Sequence, residues 1–180
     1  RAVDQYEDEL GTYLIKVNAV ELDDDQNKSI SKFLHTIADF ERISDHAMNL
    51  AESAKEMFEK KTTLSKNAIQ ELSTIEAALT EVVEMTIHSF QDNNLFHANK
   101  VEPLEEVIDD MVMILRDRHT KRLKAGKCSV DNGLVFMEAL RYLERTSDQC
   151  SSIAVMMLAR NNESILQNHY DYLKEIHAGN

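Results

Sequence analysis

The sequence predicts an all-α fold, and three observations support this prediction. Only four glycines and one proline occur in 180 residues, and so few helix breakers favour long, uninterrupted helices. No segment sustains the alternation of apolar and polar residues that is typical of a half-buried strand. Apolar residues recur instead at spacings of three and four along most of the chain. We therefore expect helices throughout.

The first half of the chain is predicted to form three amphipathic helices. The first carries Val3, Tyr6, Leu10, Tyr13, Leu14 and Val17, and polar residues 22–27 end it and cap the next helix. The second is expected from Lys28 to Lys60, with a stripe of Ile30, Phe33, Ile37, Phe40, Ala47, Ala51, Ala54 and Phe58. The third begins at residues 62–65 and reaches Phe90, before a turn at residues 91–94.

The second half is predicted to repeat this arrangement. One helix carries Val101, Leu104, Ile108, Met111 and Leu115 and ends near Gly126. The next starts at Ser129 or Asp131 and carries Phe136, Leu140, Leu143, Ser147, Cys150, Ala154 and Leu158. Cys150 is interpreted as a small core residue, since the two cysteines lack metal-site or redox spacing. Asn161 and Asn162 end this helix, and a short terminal helix contains Ile165, Tyr172, Leu173 and Ile176.

A short motif occurs twice. Phe-Glu-Arg-Ile-Ser-Asp at residues 40–45 recurs as Leu-Glu-Arg-Thr-Ser-Asp at residues 143–148, a constant offset of 103 residues. The opening helices of the two halves also match, residues 3–8 with residues 101–106, at an offset of 98. The duplication predicts two similar antiparallel bundles of up to three helices, residues 1–92 and 93–180. Because the chain starts inside a helical pattern, we expect the first helix of the first bundle to be missing.

The repeated motif places two acidic side chains one helical turn apart in each half. Glu41 and Asp45 lie beside the apolar stripe of their helix, and Glu144 and Asp148 have the same angular position. Glu105 and Asp109 have the same spacing on the preceding helix, so four carboxylates are expected along one seam of the second half. Carboxylate oxygens suit Mg, Ca, Mn or Fe. The alternative is purely structural, with the acids in ion pairs to Arg42 and Arg145.

Composition argues against several other classes of protein. A net charge of −12 disfavours nucleic-acid binding. None of the seven histidines has an acid three residues before it, so a ferritin-like di-iron oxidase is disfavoured. No catalytic motif is present, and we expect no enzyme activity. The basic residues between Arg116 and Lys127 fit the C-terminal end of a helix better than a surface for anionic lipid. His46 is expected to be exposed, although a role as metal ligand stays open.

With these residues the chain resembles a PhoU-type domain. That family carries a Glu-or-Asp-x-x-x-Asp motif in a context like Leu-Glu-Arg-Ile-Gly-Asp-His-Ala, and residues 40–52 are close to it, with Ser44 in place of glycine. The second copy has Gln149 where histidine is usual. The resemblance implies multinuclear iron or zinc clusters and a role in restraining phosphate uptake or signalling. The residues that match are Glu41, Asp45, Glu105, Asp109, Glu144 and Asp148, with Glu7 and His46 as additional candidates. Gly11 stands at the position that corresponds to Asp109, so Glu7 lacks a second acid one turn away. This difference favours the site of the second half.

Two segments resemble one branch of the family in particular. Residues 6–14 and residues 169–173 are similar to the cytosolic tail of bacterial sodium-dependent phosphate cotransporters. This resemblance implies a regulatory domain on the cytoplasmic side of the cell membrane. It would contact the transmembrane portion of the same polypeptide or another phosphate transporter, and it would associate with the membrane only through that transporter. Pairing of the domain with a second copy as a homodimer is left open. The alternatives are a free-standing PhoU-type regulator and a structural helical adaptor.

Overall fold

The computed structural model describes residues 2–161, with side chains described as far as Ala159. It contains five helices: α1 (Ala2–Asn18), α2 (Asp24–Glu59), α3 (Lys66–Asp92), α4 (Leu95–Lys124) and α5 (Val130–Asn161). The described part of the chain contains no strand, and the all-α prediction is confirmed. The predicted terminal helix with Ile165, Tyr172, Leu173 and Ile176 lies outside the described residues. The division into residues 1–92 and 93–180 stays a prediction.

Polar side chains set the helix boundaries, largely where the sequence indicates them. Asp23 forms a capping box with Gln26 at the start of α2. The Ser65 hydroxyl accepts a hydrogen bond from the amide of Ala68 at the start of α3. Asn93 ends α3 in the left-handed conformation with φ at 49°. These residues hold the turns that reverse the chain direction, so consecutive helices run antiparallel.

The core lies among α3, α4 and α5, which pack against one another as a three-helix bundle. Helix α2 packs along α5, and α1 contacts α2 alone among the described helices. The most deeply buried apolar side chains are Ile75, Val82, Val101, Ile108, Val112, Phe136, Leu140, Cys150 and Ile153. The prediction that Cys150 is a core residue is therefore confirmed. Burial also raises the pKa of its thiol to about 11.

Polar contacts join the helices across the bundle. The guanidinium of Arg122 and the carboxylate of Glu71 form a largely buried ion pair between α4 and α3, at 2.7 Å. The Lys32 ammonium donates a hydrogen bond to the carbonyl of Ala159 over 2.7 Å, which fixes the end of α5 to the beginning of α2. The Ser152 hydroxyl donates to buried Asp39 over 2.6 Å. From Lys32 to Asp39 the residue number rises along α2, while it falls from Ala159 to Ser152 along α5. The two helices are therefore antiparallel.

The apolar stripe predicted for α2 is only partly buried. Ala47, Ala51 and Ala54 are exposed, and Phe58 is 85% exposed. The buried residues of α2 are confined to Ile30, Thr36 and Asp39. The prediction is wrong for the second half of the helix because no described helix packs against that face. None of the described helices is long and apolar enough to cross a membrane.

Candidate metal centre

Three carboxylates converge where α4 and α5 pack together. Glu105 and Asp109 lie one turn apart on α4, and Asp148 reaches them from the antiparallel α5. Each offers an oxygen that lies within 4.8 Å of the other two. We call Glu105, Asp109 and Asp148 the α4–α5 acidic triad. Among residues 2–159, no other trio of His, Cys, Asp or Glu side chains comes this close.

The triad carries unfavourable electrostatic energy when all three groups are ionised. Burial, followed by the carboxylates of Asp109, Glu102 and Asp148, raises the pKa of Glu105 to about 8. Burial and the Asp148 and Glu144 carboxylates also raise the pKa of Asp109. Asp148 has a raised pKa too, from burial and then from Glu144. The three groups therefore retain protons at pH values where ordinary carboxylates are ionised.

Glu144, the fourth predicted carboxylate of this seam, has a different environment. Two nitrogens of Arg116 donate hydrogen bonds to its two oxygens, at 3.1 Å and 2.6 Å. This bidentate geometry is the strong form of an arginine–carboxylate pair. The structural alternative predicted that Arg145 forms an ion pair with the acids of the second motif. The guanidinium bonded to Glu144 belongs instead to Arg116 of α4. Arg116 also offsets part of the upward pKa shift of Asp109.

The first half places its predicted acids in a corresponding arrangement. Asp45, Glu7 and Asp4 contribute, after burial, to the raised pKa of Glu41. These four residues, two from α1 and two from α2, form what we call the α1–α2 acidic cluster. Gly11 occupies the position equivalent to Asp109, and this explains why the cluster lacks the close trio of the second half. The α4–α5 triad is therefore the better developed of the two candidate sites.

The structural alternative predicted that Arg42 forms an ion pair with the acids of the first motif, and the structure shows a different partner. Arg42 forms its ion pair with Asp39, at 3.1 Å, and approaches Gln149 of α5. Asp39 is buried and belongs to the contact between α2 and α5. Arg42 thus stabilises helix packing rather than binding the motif acids.

His46 is not exposed, contrary to the sequence prediction. Its ring is half-buried between α2 and α5, with its centroid 5.8 Å from that of Tyr142. Burial, followed by the charge of Arg145, lowers the pKa of His46. The angular position of a residue on one helix does not reveal the second helix that packs over it, and α5 covers this face of α2.

Two acidic residues of these sites were missing from the sequence prediction. Asp4 and Glu102 are separated by 98 residues, the same offset that relates the opening helices of the two halves. Glu102 is buried, and its carboxylate accepts a hydrogen bond from the Ser151 hydroxyl. Each lies three residues before Glu7 or Glu105 on the same helical face. The duplicated spacing was therefore the signal that could have identified both.

The donor set of the triad fits a cation. All three side chains offer oxygen, which suits hard cations better than soft metals. Like charges at this separation are costly without a counterion, and the raised pKa values report that cost. Asp109 and Asp148 are exposed, so an ion can reach the site from solvent. Glu105, Asp109 and Asp148 would hold it, and the bound charge would stabilise their ionised forms.

The arrangement of helices is similar to that of PhoU proteins of known structure. Residues 72–157 match the family model described as the PhoU domain. This match confirms the resemblance predicted from the sequence.

Individual relatives agree with this assignment. The chain is 26% identical over 133 residues to the phosphate-specific transport system accessory protein PhoU homolog 1 of Thermotoga maritima. That match covers 72% of the chain and only 56% of the relative. The fold is similar to the crystal structure of PhoU from Pseudomonas aeruginosa, with a TM-score of 0.81, 21% identity, and coverage of 90% of this chain and 77% of that one.

A second solved structure shows the same fold. The phosphate transport system regulatory protein PhoU from Streptococcus pneumoniae aligns with a TM-score of 0.77 at 17% identity, over 90% of this chain and 75% of its own. Together these comparisons establish the arrangement of helices on which both acidic sites lie.

Proposed function

We propose that this chain is a metal-binding regulator of phosphate transport. The observation that carries the proposal is the α4–α5 triad, in which three carboxylate oxygens lie within 4.8 Å of one another on a PhoU-type fold. The named relative from Thermotoga maritima is an accessory protein of phosphate transport, which supports the choice of process. The proposed role is regulatory and involves no turnover of a substrate.

A cation at the triad would connect α4 to α5. Glu105 and Asp109 supply ligands from one helix and Asp148 from the other, so binding fixes the relative position of the two helices. The α1–α2 acidic cluster would act in the same way on the first pair of helices. Iron, manganese, magnesium or calcium suits a ligand set made of carboxylates, and zinc is disfavoured because the triad lacks cysteine and histidine.

Metal occupancy would then control the surface that the domain presents to a phosphate transporter. The Arg116–Glu144 pair lies next to the triad on the same two helices, so a shift of α4 against α5 would also strain this ion pair. We propose the cytoplasmic face of the membrane as the location. The relatives are named as PhoU proteins, which supports a free-standing regulator, and attachment to a cotransporter stays a prediction from the two resembling segments.

The variant Asp148→Asn tests the proposal. It removes one anionic ligand from the triad, so we expect loss of Mn²⁺ binding in calorimetry of the purified chain. In a bacterial strain without its own PhoU regulator, expression of the unaltered chain should lower uptake of labelled phosphate, whereas the variant should not.

Glu138→Gln is the matched control. Glu138 lies on the same helix, ten residues away, and forms its ion pair with Arg141. This variant removes one negative charge from α5 without changing the triad, so metal binding and uptake should stay at the unaltered level. Equal Mn²⁺ affinity in Asp148→Asn and Glu138→Gln would contradict the metal site. Uptake that does not respond to the unaltered chain would contradict the regulatory role.

A further inference from the structure

Two segments that are rich in lysine and arginine meet at one end of the molecule. One contains the connection from α2 to α3, and the other contains the connection from α4 to α5. The side-chain amide of Asn132 donates a hydrogen bond to the carbonyl of Thr63 over 3.0 Å, so the two segments are neighbours. Residues 55–66 and 118–130 together contain nine lysines and arginines and two glutamates, in a chain whose net charge is −12. We call these two segments the basic end.

The two glutamates of the basic end already have partners. Glu56 forms an ion pair with Lys60, and Glu59 forms one with Lys55 at 3.9 Å. Within residues 2–159, four exposed lysines of the basic end form no ion pair: Lys61, Lys66, Lys124 and Lys127. An excess of positive charge is therefore concentrated at this end and is available to an anionic partner.

The helix dipole explains only part of this charge. Cations are favourable near the C-terminus of a helix, which accounts for Lys124 in the last turn of α4. Lys66 is the first residue of α3, where the dipole disfavours a cation, and Lys127 lies beyond the end of α4. The sequence prediction assigned the basic residues between Arg116 and Lys127 to the end of a helix. It does not account for the lysines that α2 and α3 bring to the same place.

Exposed apolar side chains lie among these lysines. Phe58 is 85% exposed, and Val130 and Leu134 are 64% and 65% exposed. Phe58 lies three residues before Lys61, and Val130 three residues after Lys127. At the surface of an anionic membrane, apolar side chains enter the boundary between headgroups and acyl chains while lysines contact the headgroups. The basic end offers both kinds of side chain.

The cavity at this end suits an acidic peptide less well. It has a volume of about 240 Å³ and lies between the end of α2 and the start of α5. Its lining includes the carboxylates of Glu56 and Asp131 beside the ammonium of Lys60, and none of the four unpaired lysines. An acidic segment in the cavity would therefore meet two like charges. A flat anionic surface can contact the lysines of both segments without entering it.

The negative net charge of the chain does not oppose such a contact. Asp109 lies 15 residues before Lys124 on α4, which corresponds to about 22 Å along the helix axis. Salt screens exposed charges over about 8 Å at physiological ionic strength. The acids in the middle of the helices therefore have little effect at the basic end. They disfavour contact through the other faces, so an anionic surface should meet this end first.

We propose that the basic end docks on a lipid bilayer that contains anionic lipid. Lys61, Lys66, Lys124 and Lys127 would contact the headgroups, and Phe58 would enter the boundary beneath them. The four helices that meet here would then project from the surface, with the acidic sites away from it. The contact is with lipid itself, whereas the sequence resemblance implied association through a transporter alone. This inference goes beyond the proposed function and does not depend on metal binding.

Sedimentation of the purified chain with lipid vesicles tests the proposal. We expect binding to vesicles of equal parts phosphatidylcholine and phosphatidylglycerol, weaker binding at high salt, and none to phosphatidylcholine alone. The double variant Lys124→Gln/Lys127→Gln should bind about 25-fold more weakly, since each lysine at an anionic surface contributes about fivefold. Lys16→Gln/Lys28→Gln is the matched control. It removes the same charge at the end of α1 and the start of α2, far from the basic end, and should bind as the unaltered chain does.

Fluorescence determines which end meets the lipid. The chain contains no tryptophan, so Phe58→Trp introduces a single fluorophore at the basic end. On binding, its emission should shift to shorter wavelength, and brominated lipid should quench it. Phe96→Trp places the fluorophore at the start of α4, at the opposite end, where residue 96 is 66% exposed. Its emission should not change.

Three results would overturn the proposal. The first is no binding of the unaltered chain to the phosphatidylglycerol vesicles, and binding to polyglutamate in that case would assign the surface to an acidic protein. The second is an equal loss of binding in the two double lysine variants, which would show a general effect of net charge. The third is a bound chain in which Phe96→Trp responds and Phe58→Trp does not, which would place the contact on another face.

Discussion

At the scale of single residues, the raised pKa of Glu105 connects metal binding to protons. Its value of about 8 arises from burial and from three neighbouring carboxylates. A cation requires the ionised carboxylate, so binding below pH 8 must displace the proton that Glu105 carries. Protons and metal therefore compete for the same oxygens, and metal affinity falls as the pH falls.

The pH dependence of Mn²⁺ binding is the corresponding prediction. While a single proton is displaced from Glu105, whose pKa is about 8, the dissociation constant should increase about tenfold for each pH unit below that value. Calorimetry at pH 6, 7 and 8 measures this. Glu105→Gln should bind more weakly and with a shallower pH dependence, since its amide does not titrate. An affinity that is constant between pH 6 and pH 8 would contradict this assignment.

The sequence predicted the triad residues but not the charge pairs around them. Glu105, Asp109 and Asp148 were predicted from their helical spacing and from the duplicated motif, and the amino-acid sequence alone shows both properties. The pair between Arg116 and Glu144 joins residues 28 positions apart on two helices. Which arginine reaches Glu144 depends on how α4 and α5 are placed against each other, and this is a property of packing that spacing alone does not contain.

At the scale of helices, the contact between α4 and the start of α5 depends on a missing side chain. A Cβ atom added at Gly133 would lie 2.8 Å from Nε2 of His119 and 3.0 Å from Cδ1 of Leu123. His119 is buried and lies against Phe136, with ring centroids 5.1 Å apart, so it has little room to move. The two helices can approach this closely because residue 133 is glycine.

Gly133→Ala should destabilise the protein. Overpacking of this kind costs about 1–3 kcal/mol, against about 0.5–1 kcal/mol gained from the better helix former. We expect a net decrease in the free energy of unfolding, on the order of 1 kcal/mol, measured by urea denaturation.

Gly11→Ala provides the comparison. A Cβ atom at Gly11 has no neighbour within 4 Å, so only the gain in helix propensity applies. This variant should leave the free energy of unfolding unchanged or raise it. A Gly133→Ala protein as stable as Gly11→Ala would show that α4 and α5 can separate without cost at this point.

Helix ends were more predictable than helix faces. The capping residues Asp23, Ser65 and Asn93 act locally, through groups within a few positions of one another, so a single sequence contains the signal. The burial of α2 required knowledge of its neighbours. Its stripe is apolar as far as Phe58, but packing buries only residues up to Asp39. A hydrophobic pattern shows which face a helix can bury, and not whether another helix covers it.

At the scale of the whole molecule, the duplication explains both what the two halves share and where they differ. Paired acids occur at equivalent positions of α1 with α2 and of α4 with α5, as the two offsets require. The first half has Gly11 in place of an acid, and an open apolar groove lies between its helices α1 and α2. The second half has the closer acidic trio and the complete core. We therefore expect the second half to bind metal first.

The most direct test of the account is anomalous X-ray diffraction from crystals of the chain grown with excess Mn²⁺. We predict an anomalous peak between Glu105, Asp109 and Asp148, with oxygen ligands at about 2.0–2.6 Å. Under the same conditions, the absence of a peak, with these carboxylates bonded only to water or to guanidinium groups, would contradict the claim that the paired acids hold a cation.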